Sequence, residues 1–164
     1  MKVDGKPYRT IWQSDSGNVA IIDQTKLPHA FVIAELRSVD DAWHAIADMQ
    51  VRGAPLIGVA AAYGLALAMR GDSSDANLAR AAAYLATARP TAVNLAWALD
   101  DMRRVLAPLQ PSERAERAFA RAGELADADV AVNDAIGTRG LAVFRELAAR
   151  KNGRLNILTH CNAG

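Results

Sequence analysis

Arg52 and Arg89 are the residues whose settings could do chemistry on an anion. Arg52 opens the run Arg-Gly-Ala-Pro, and no charge follows it until Arg70. Proline suits the first position of a helix because its missing N–H would have had no partner there, so Pro55 leaves Arg52, Gly53 and Ala54 in the loop feeding a helix N-terminus. That end carries unpaired N–H groups and partial positive charge. Gly53 lets backbone approach a ligand and Arg52 adds a planar, permanent cation, a combination suited to phosphate or carboxylate. The same residues also describe an ordinary turn with a solvated arginine. Arg89 repeats the arrangement, because Arg-Pro-Thr precedes a second helical pattern with Thr91 as its expected N-cap. Two such arginines could converge on one anion or stand apart on the surface. The third candidate is the lone cysteine, Cys161, in Cys-Asn-Ala-Gly after a strand-like run at 155–160. Ligands of open α/β sheets collect beyond the carboxyl ends of strands. By residue type alone, a lone cysteine there is more often a small packing residue than a catalyst.

Composition narrows the partners. The 164 residues carry 19 Lys and Arg against 18 Asp and Glu, with no block of like charge, so nucleic acid or an anionic membrane surface is an unfavoured partner and the ligand should be small. His29, His44 and His160 are scattered and have no second cysteine beside them, so no metal site is expected. A single cysteine and the lack of an apolar signal region near the start point to the cytoplasm.

The elements that must position these residues read as follows. Residues 8–13, 19–23 and 29–36 are β-prone and separated by turn formers. They suggest an antiparallel meander that lays Ile11, Ile21, Phe31 and Ile33 on the helices. Ser38 and Asp41 form a capping pair for a helix with Val39, Trp43, Ile46 and Met49 at helical spacing. Residues 54–69 are apolar at every phase of the helical period, which describes a helix buried on all sides; they are too few for a membrane span, and Gly58 and Gly64 would admit close neighbours. Asp72 to Asp75 restart the chain into a helix with Leu78, Ala82 and Leu85 inward. The next helix places Leu95, Leu99, Met102 and Leu106 on one side and pairs Asp100 with Arg104. Ser112 is the expected cap of a long segment that Gly137 interrupts, with Thr138 capping again and Glu113, Arg117, Arg121 and Glu124 forming a solvated face. Asp23, Gln24 and Lys26 suit turn and solvent-facing roles.

The expected fold class is mainly α with a small N-terminal antiparallel β-meander, and a last strand that begins a Rossmann-like α/β domain. One parallel strand has nothing to pair with, so the chain is expected to be a fragment. Residues 1–129 are assigned to the β-meander and helical domain, and 130–164 to a connecting helix and the first strand of the truncated Rossmann-like domain.

Three stretches, in order, are Arg-Gly-Ala-Pro-Leu-Ile-Gly-Val-Ala-Ala-Ala-Tyr-Gly-Leu-Ala from Arg52, Arg-Pro-Thr-Ala-Val-Asn-Leu-Ala-Trp-Ala-Leu from Arg89, and Thr-His-Cys-Asn-Ala-Gly from Thr159. Together with Asp-Gln-Thr-Lys-Leu-Pro from Asp23, they resemble the methylthioribose-1-phosphate isomerase family. Its wider circle includes ribose-1,5-bisphosphate isomerase and the regulatory subunits of the exchange factor for translation initiation. One departure is Asn-Asp-Ala-Ile-Gly-Thr-Arg-Gly from Asn133, where relatives commonly carry a basic residue in place of Asp134. The resemblance implies an aldose-to-ketose isomerisation in methionine salvage, with Arg52, Gly53, Ala54 and Arg89 binding a phosphorylated sugar and Cys161 acting in the hydrogen shift. It implies no cofactor or metal, a family aspartate acting as the acid in the second half of the fold, and a homodimer for the full-length protein. A related phosphosugar, or a subunit that senses one without turnover, stays open at this point.

Overall fold

An alanine-rich helix without charge is stable only where its whole circumference is covered, and the molecule is assembled around one such helix. The computed structural model describes residues 2–151 and 153–158. Strands β1 (Lys2–Val3), β2 (Lys6–Pro7), β3 (Ile11–Gln13), β4 (Val19–Ile22) and β5 (Ile33–Leu36) precede helices α1 (Val39–Ala47), α2 (Ala54–Gly71), α3 (Asp75–Ala86), α4 (Val93–Leu106) and α5 (Pro111–Arg150). The architecture is therefore mainly α, with two small antiparallel sheets at the N-terminal end, ordered β1-β2 and β3-β4-β5.

Helix α2 is the buried element, with every residue from 57 to 69 inside. By length and composition it could cross a membrane, but α1, α3, α4 and α5 pack around it. It runs two residues past the expected end. Arg70 projects from its last turn and donates to Gly17 O at 2.7 Å, Asn18 Oδ1 at 2.9 Å and Arg37 O at 3.2 Å, tying the meander to the helix. Glycine provides the closest packing: a Cβ on Gly64 would lie 2.7 Å from Ala42 Cβ and 3.1 Å from Leu85 Cδ2, so α1 and α3 reach α2 only because that Cβ is missing.

The meander differs in register from the expectation. Ala34 pairs with Ile21 and Ile33 with Ile22, so Ala34 and Leu36 share the inner face with Val19, Ile21 and Ile11. Ile33 is consequently 46% exposed, since a shift of one residue exchanges the faces of a strand. Phe31 precedes β5 and rests edge-on against Tyr8 at 4.9 Å. The β1-β2 hairpin was not expected, although its Asp4-Gly5 turn, with φ of 49° and 78°, is a strong short-range hairpin signal. Asp23 does serve a turn: its carboxylate accepts from Thr25 N at 2.9 Å and Thr25 Oγ1 at 2.6 Å.

Helix starts follow side-chain chemistry where it is present. Ser38 and Asp41 form the expected reciprocal cap on α1, and Ser74 caps α3 by accepting from Asn77 N at 3.2 Å. Met49 falls outside α1, exposed and with φ of 60°. At α4 the expectation fails, because Ala92 rather than Thr91 occupies the cap position. At α5 the cap is Gln110, whose N–H donates to Glu113 Oε2 at 3.1 Å, and Ser112 lies inside the first turn. Helix α5 continues through Gly137, where the interruption was expected; one glycine costs a helix only about 1 kcal/mol, too little to break a helix of this length. Its buried side chains end at Ala126, shortly before the expected boundary at 129–130, which lies within α5. Residues 155–158 form no strand, since no strand lies beside them among the described residues; the remainder of that expected strand, 159 and 160, lies outside the described residues.

Charges on α4 and α5 also hold the layers together. Asp101, not Asp100, pairs with Arg104 at 3.3 Å, and Asp101 also accepts from Arg121 Nε at 2.7 Å across the helix pair. Arg121 is thus a bridge rather than part of a solvated face. Hydrogen bonds from Arg117 and Arg121 hold the Glu124 carboxyl at about 2. Arg114 is the tightest of these groups. Its side chain is 3% exposed, donates to the carbonyls of Leu106, Leu109, Ser73 and Ala107, and pairs with Asp75 at 2.6 Å. It thereby satisfies carbonyls at the C-terminal end of α4 that helix geometry leaves without partners. Replacing Arg114 with Met should cost about 2–4 kcal/mol in urea unfolding, the scale of stranded buried acceptors. A loss under about 0.5 kcal/mol would show that these carbonyls find other partners.

Candidate phosphate cleft between two helix starts

The loop before α2 is held from both sides. Gln24 N donates to Gln50 O at 2.9 Å, Val51 N donates to Ala45 O at 3.0 Å, and the Val51 side chain is fully buried, so the loop cannot drift from the meander or from α1. Arg52 follows directly. Gly53 then occupies the cap position with φ of 97°, a conformation that side-chain-bearing residues seldom adopt, and its carbonyl accepts the first helical bond from Ile57 N at 3.0 Å. Pro55 is the second helical residue, one place later than the spacing suggested.

The loop before α4 turns through Ala92 N to Arg89 O at 3.0 Å. The two helices meet at their first turns, where a Cβ on Gly58 would lie 2.8 Å from Asn94 O. That contact brings both loops to one hollow. Arg52 and Gly53 from the first loop, Ala54 at the start of α2 and Arg89 from the second loop line a single cleft of about 330 Å³, joined by Met49, Thr91 and Asn94 among others. From the residues alone, Met49 was expected on the apolar face of α1 and Asn94 had no expected role. Asn94 sits within one of the quoted motifs, and its position in the first turn of the helix that follows Arg89 was the available signal.

The electrostatics separate these two helix starts from the others. Helices α1, α3 and α5 each carry an acidic residue in the first turn. Helices α2 and α4 have neither an acidic first turn nor a side-chain hydrogen bond at the cap. Their first N–H groups therefore keep their positive partial charge unopposed. Among the described residues, neither Arg52 nor Arg89 is paired with a carboxylate, and Arg52 Nε is buried without a hydrogen-bond partner. A buried donor left unsatisfied costs about 1–3 kcal/mol, so an anionic acceptor that reached it would recover that cost. The arrangement suits a phosphate ester, with two planar cations and two helix ends facing one volume.

Cys161 lies outside the described residues, as does the rest of 159–164. Among the described residues, no group of three or more His, Cys, Asp or Glu side chains is placed to hold a metal ion.

The model of the initiation factor 2 subunit family matches residues 50–164. Over its whole length the chain is 58% identical to the methylthioribose-1-phosphate isomerase of Methylorubrum populi, covering 45% of that protein. The chain thus spans about half the length of the curated relatives it matches. Among solved structures, the translation initiation factor eIF-2B subunit delta from A. fulgidus matches with a TM-score of 0.70 and 37% identity, covering 76% of this chain and 38% of the other. The 5-methylthioribose 1-phosphate isomerase from Pyrococcus horikoshii gives 0.70 and 34%, covering 76% and 37%.

The contact at Gly58 has a direct test. Gly58→Ala should lower the unfolding free energy by about 1–3 kcal/mol through overpacking. Gly137→Ala, in open space on α5, should raise it by about 0.5–1 kcal/mol. Equal shifts in thermal unfolding for the two variants would show that α2 and α4 do not depend on that approach.

Proposed function

This chain belongs to the initiation factor 2 subunit family, and within that family we propose that it is the N-terminal part of an aldose-ketose isomerase converting 5-methylthioribose 1-phosphate to 5-methylthioribulose 1-phosphate. The observation that carries the reading is the cleft where Arg52 and Arg89 meet at two helix starts with no acidic side chain in their first turns. The identity of 55–58% to proteins named methylthioribose-1-phosphate isomerase supports it. A phosphorylated sugar as substrate, a homodimeric full-length enzyme and a cytoplasmic location belong to the same proposal.

The chemistry explains why anion binding dominates this half of the molecule. Phosphate blocks the anomeric oxygen of the substrate, so the ring must open as or before a hydrogen moves from carbon 2 to carbon 1. In this proposal Arg52, Gly53, Ala54 and Arg89 hold the phosphate through guanidinium and backbone N–H donors. That fixes carbons 1 and 2 relative to Cys161, which acts in the hydrogen shift or stabilises its transition state. The product is an isomer of the substrate, so atoms and electrons balance within one molecule and no external oxidant or reductant is consumed.

A second reading, a subunit that senses a phosphosugar without turning it over, has one observation in its favour: the initiation factor subunit and the isomerase match this fold equally well. The 55–58% identity to curated relatives named as isomerases favours the isomerase. In the full-length protein, Cys161→Ser should lower kcat by about 100-fold or more while KM stays within about threefold, the pattern of an interaction made only in the transition state. Arg52→Ala should instead raise KM by about 10–100-fold, the worth of a charged hydrogen bond. A wild-type protein that binds the sugar phosphate without isomerising it would support the sensor, and an unchanged kcat would remove Cys161 from the reaction.

A further inference from the structure

A separate hollow of about 900 Å³ opens between the meander and the first half of α5, lined by Gln13, Ser16, Tyr63, Arg70, Glu116 and Phe119 among others. It shares no lining residue with the arginine cleft, and Tyr63 lies about 14 Å along α2 from Ala54 at 1.5 Å per residue. Charge pairing inside it is incomplete in a specific way. Glu124 is bound by Arg117 and Arg121, and Asp127 by Arg9. Glu116, exposed on α5, has no ion pair or hydrogen bond among the described residues. Arg70 donates to the uncharged acceptors Gly17 O, Asn18 Oδ1 and Arg37 O, which leaves its Nε–H and one Nη1–H to donate elsewhere, and among the described residues no carboxylate pairs with it. One carboxylate and one cation are thus open in the same hollow. Phe119 stands between them: its ring centre is 5.7 Å from Arg70 Cζ, and Glu116 precedes it by one turn, the spacing of neighbours on a helix face.

Tyr63 is the third feature. Its ring tilts against Phe119 at 6.3 Å, the residue is 4% exposed, and its hydroxyl has no partner among the described residues. Gly123 faces that hydroxyl, since a Cβ there would stand 3.8 Å from Tyr63 Oη. Burial, and then the negative charge of Asp127, push the phenol above its ordinary pKa, so it stays a neutral donor. Helices α2 and α5 run antiparallel, with Arg70 against Phe119, Tyr63 against Gly123, and Leu56 near Val130. The order along the hollow is therefore Arg70 with Glu116, then Phe119, then Tyr63.

We propose that this hollow binds a free α-amino acid whose side chain is an apolar stem ending in an uncharged acceptor. Arg70 receives the α-carboxylate and Glu116 the α-ammonium, Phe119 covers the stem, and the Tyr63 hydroxyl donates to the acceptor at its end. A zwitterion satisfies both open charges at once, whereas a simple anion would leave Glu116 unmatched and a simple cation would leave Arg70 so. A side chain ending in a carboxylate would meet the charge of Asp127, which already reaches Tyr63. The site does not rest on the isomerase reading.

Calorimetry of the full-length protein with L-glutamine as the probe tests the site. Wild type should show saturable binding with a Kd of about 1 mM or tighter. N-acetyl-L-glutamine, which lacks the ammonium, and the exposed variant Glu116→Gln should each weaken binding by about tenfold or more, the worth of one charged hydrogen bond. Tyr63→Phe should weaken L-glutamine by about threefold or more, and leave L-norleucine, whose stem carries no acceptor, within about twofold. Arg52→Ala should leave the affinity for L-glutamine unchanged. No saturable heat up to about 10 mM, an affinity unmoved by Glu116→Gln or by Tyr63→Phe, or binding abolished by Arg52→Ala overturns the site, and the isomerase reading stands in each case.

Discussion

The approach of α2 to α4 at Gly58 is the constraint from which the candidate site follows. Two helices can bring their N-terminal loops to one hollow only if their first turns touch, and here they touch backbone against backbone, with Asn94 O where a Cβ would otherwise stand. The rest of the molecule keeps that contact in place. Helix α2 is buried along its middle, α1 and α3 close on it at Gly64, and Arg70 fastens its far end to the meander. With its position determined along its length, α2 presents Arg52 in a fixed relation to Arg89.

Electrostatics then distinguish the starts of α2 and α4 from those of the other helices. At the other three helix starts this chain places carboxylates in the first turn: Asp40 and Asp41 on α1, Asp75 on α3, and Glu113 on α5. At α2 and α4 it does not, and the stability of two side-chain caps, about 1 kcal/mol each, is forgone. Small local costs of this kind concentrate at functional sites. The unpartnered Nε of Arg52 belongs to the same pattern.

Much of this was legible in the residues. The uncharged apolar run could describe little but an interior helix, and each inward position expected for α4, from Leu95 to Leu106, is buried. Both arginine loops could be placed near helix starts, the first by Pro55 and the second by the apolar spacing that follows Thr91. What the residues could not reveal was whether the arginines meet, because that depends on a long-range backbone contact between Gly58 and Asn94. The register of β5 was misjudged because 29–36 offers apolar residues of both parities, and only pairing with β4 selects Ala34 and Leu36. Arg114 was missed because a charged residue in a helical row looks solvated unless the carbonyls it meets are known. Gly137 misled in the opposite direction: its propensity cost is real but small, and α5 passes through it.

In the proposed function, two guanidiniums from separate loops grip one phosphate. A double-mutant cycle measures this most directly, using calorimetric affinities of the full-length protein for 5-methylthioribose 1-phosphate with Arg52→Ala, Arg89→Ala and both, in a Cys161→Ser background. Shared grip predicts losses that fail to add, with a coupling of about 1 kcal/mol or more. Strictly additive losses would mean that the arginines act on separate groups, and would contradict the account.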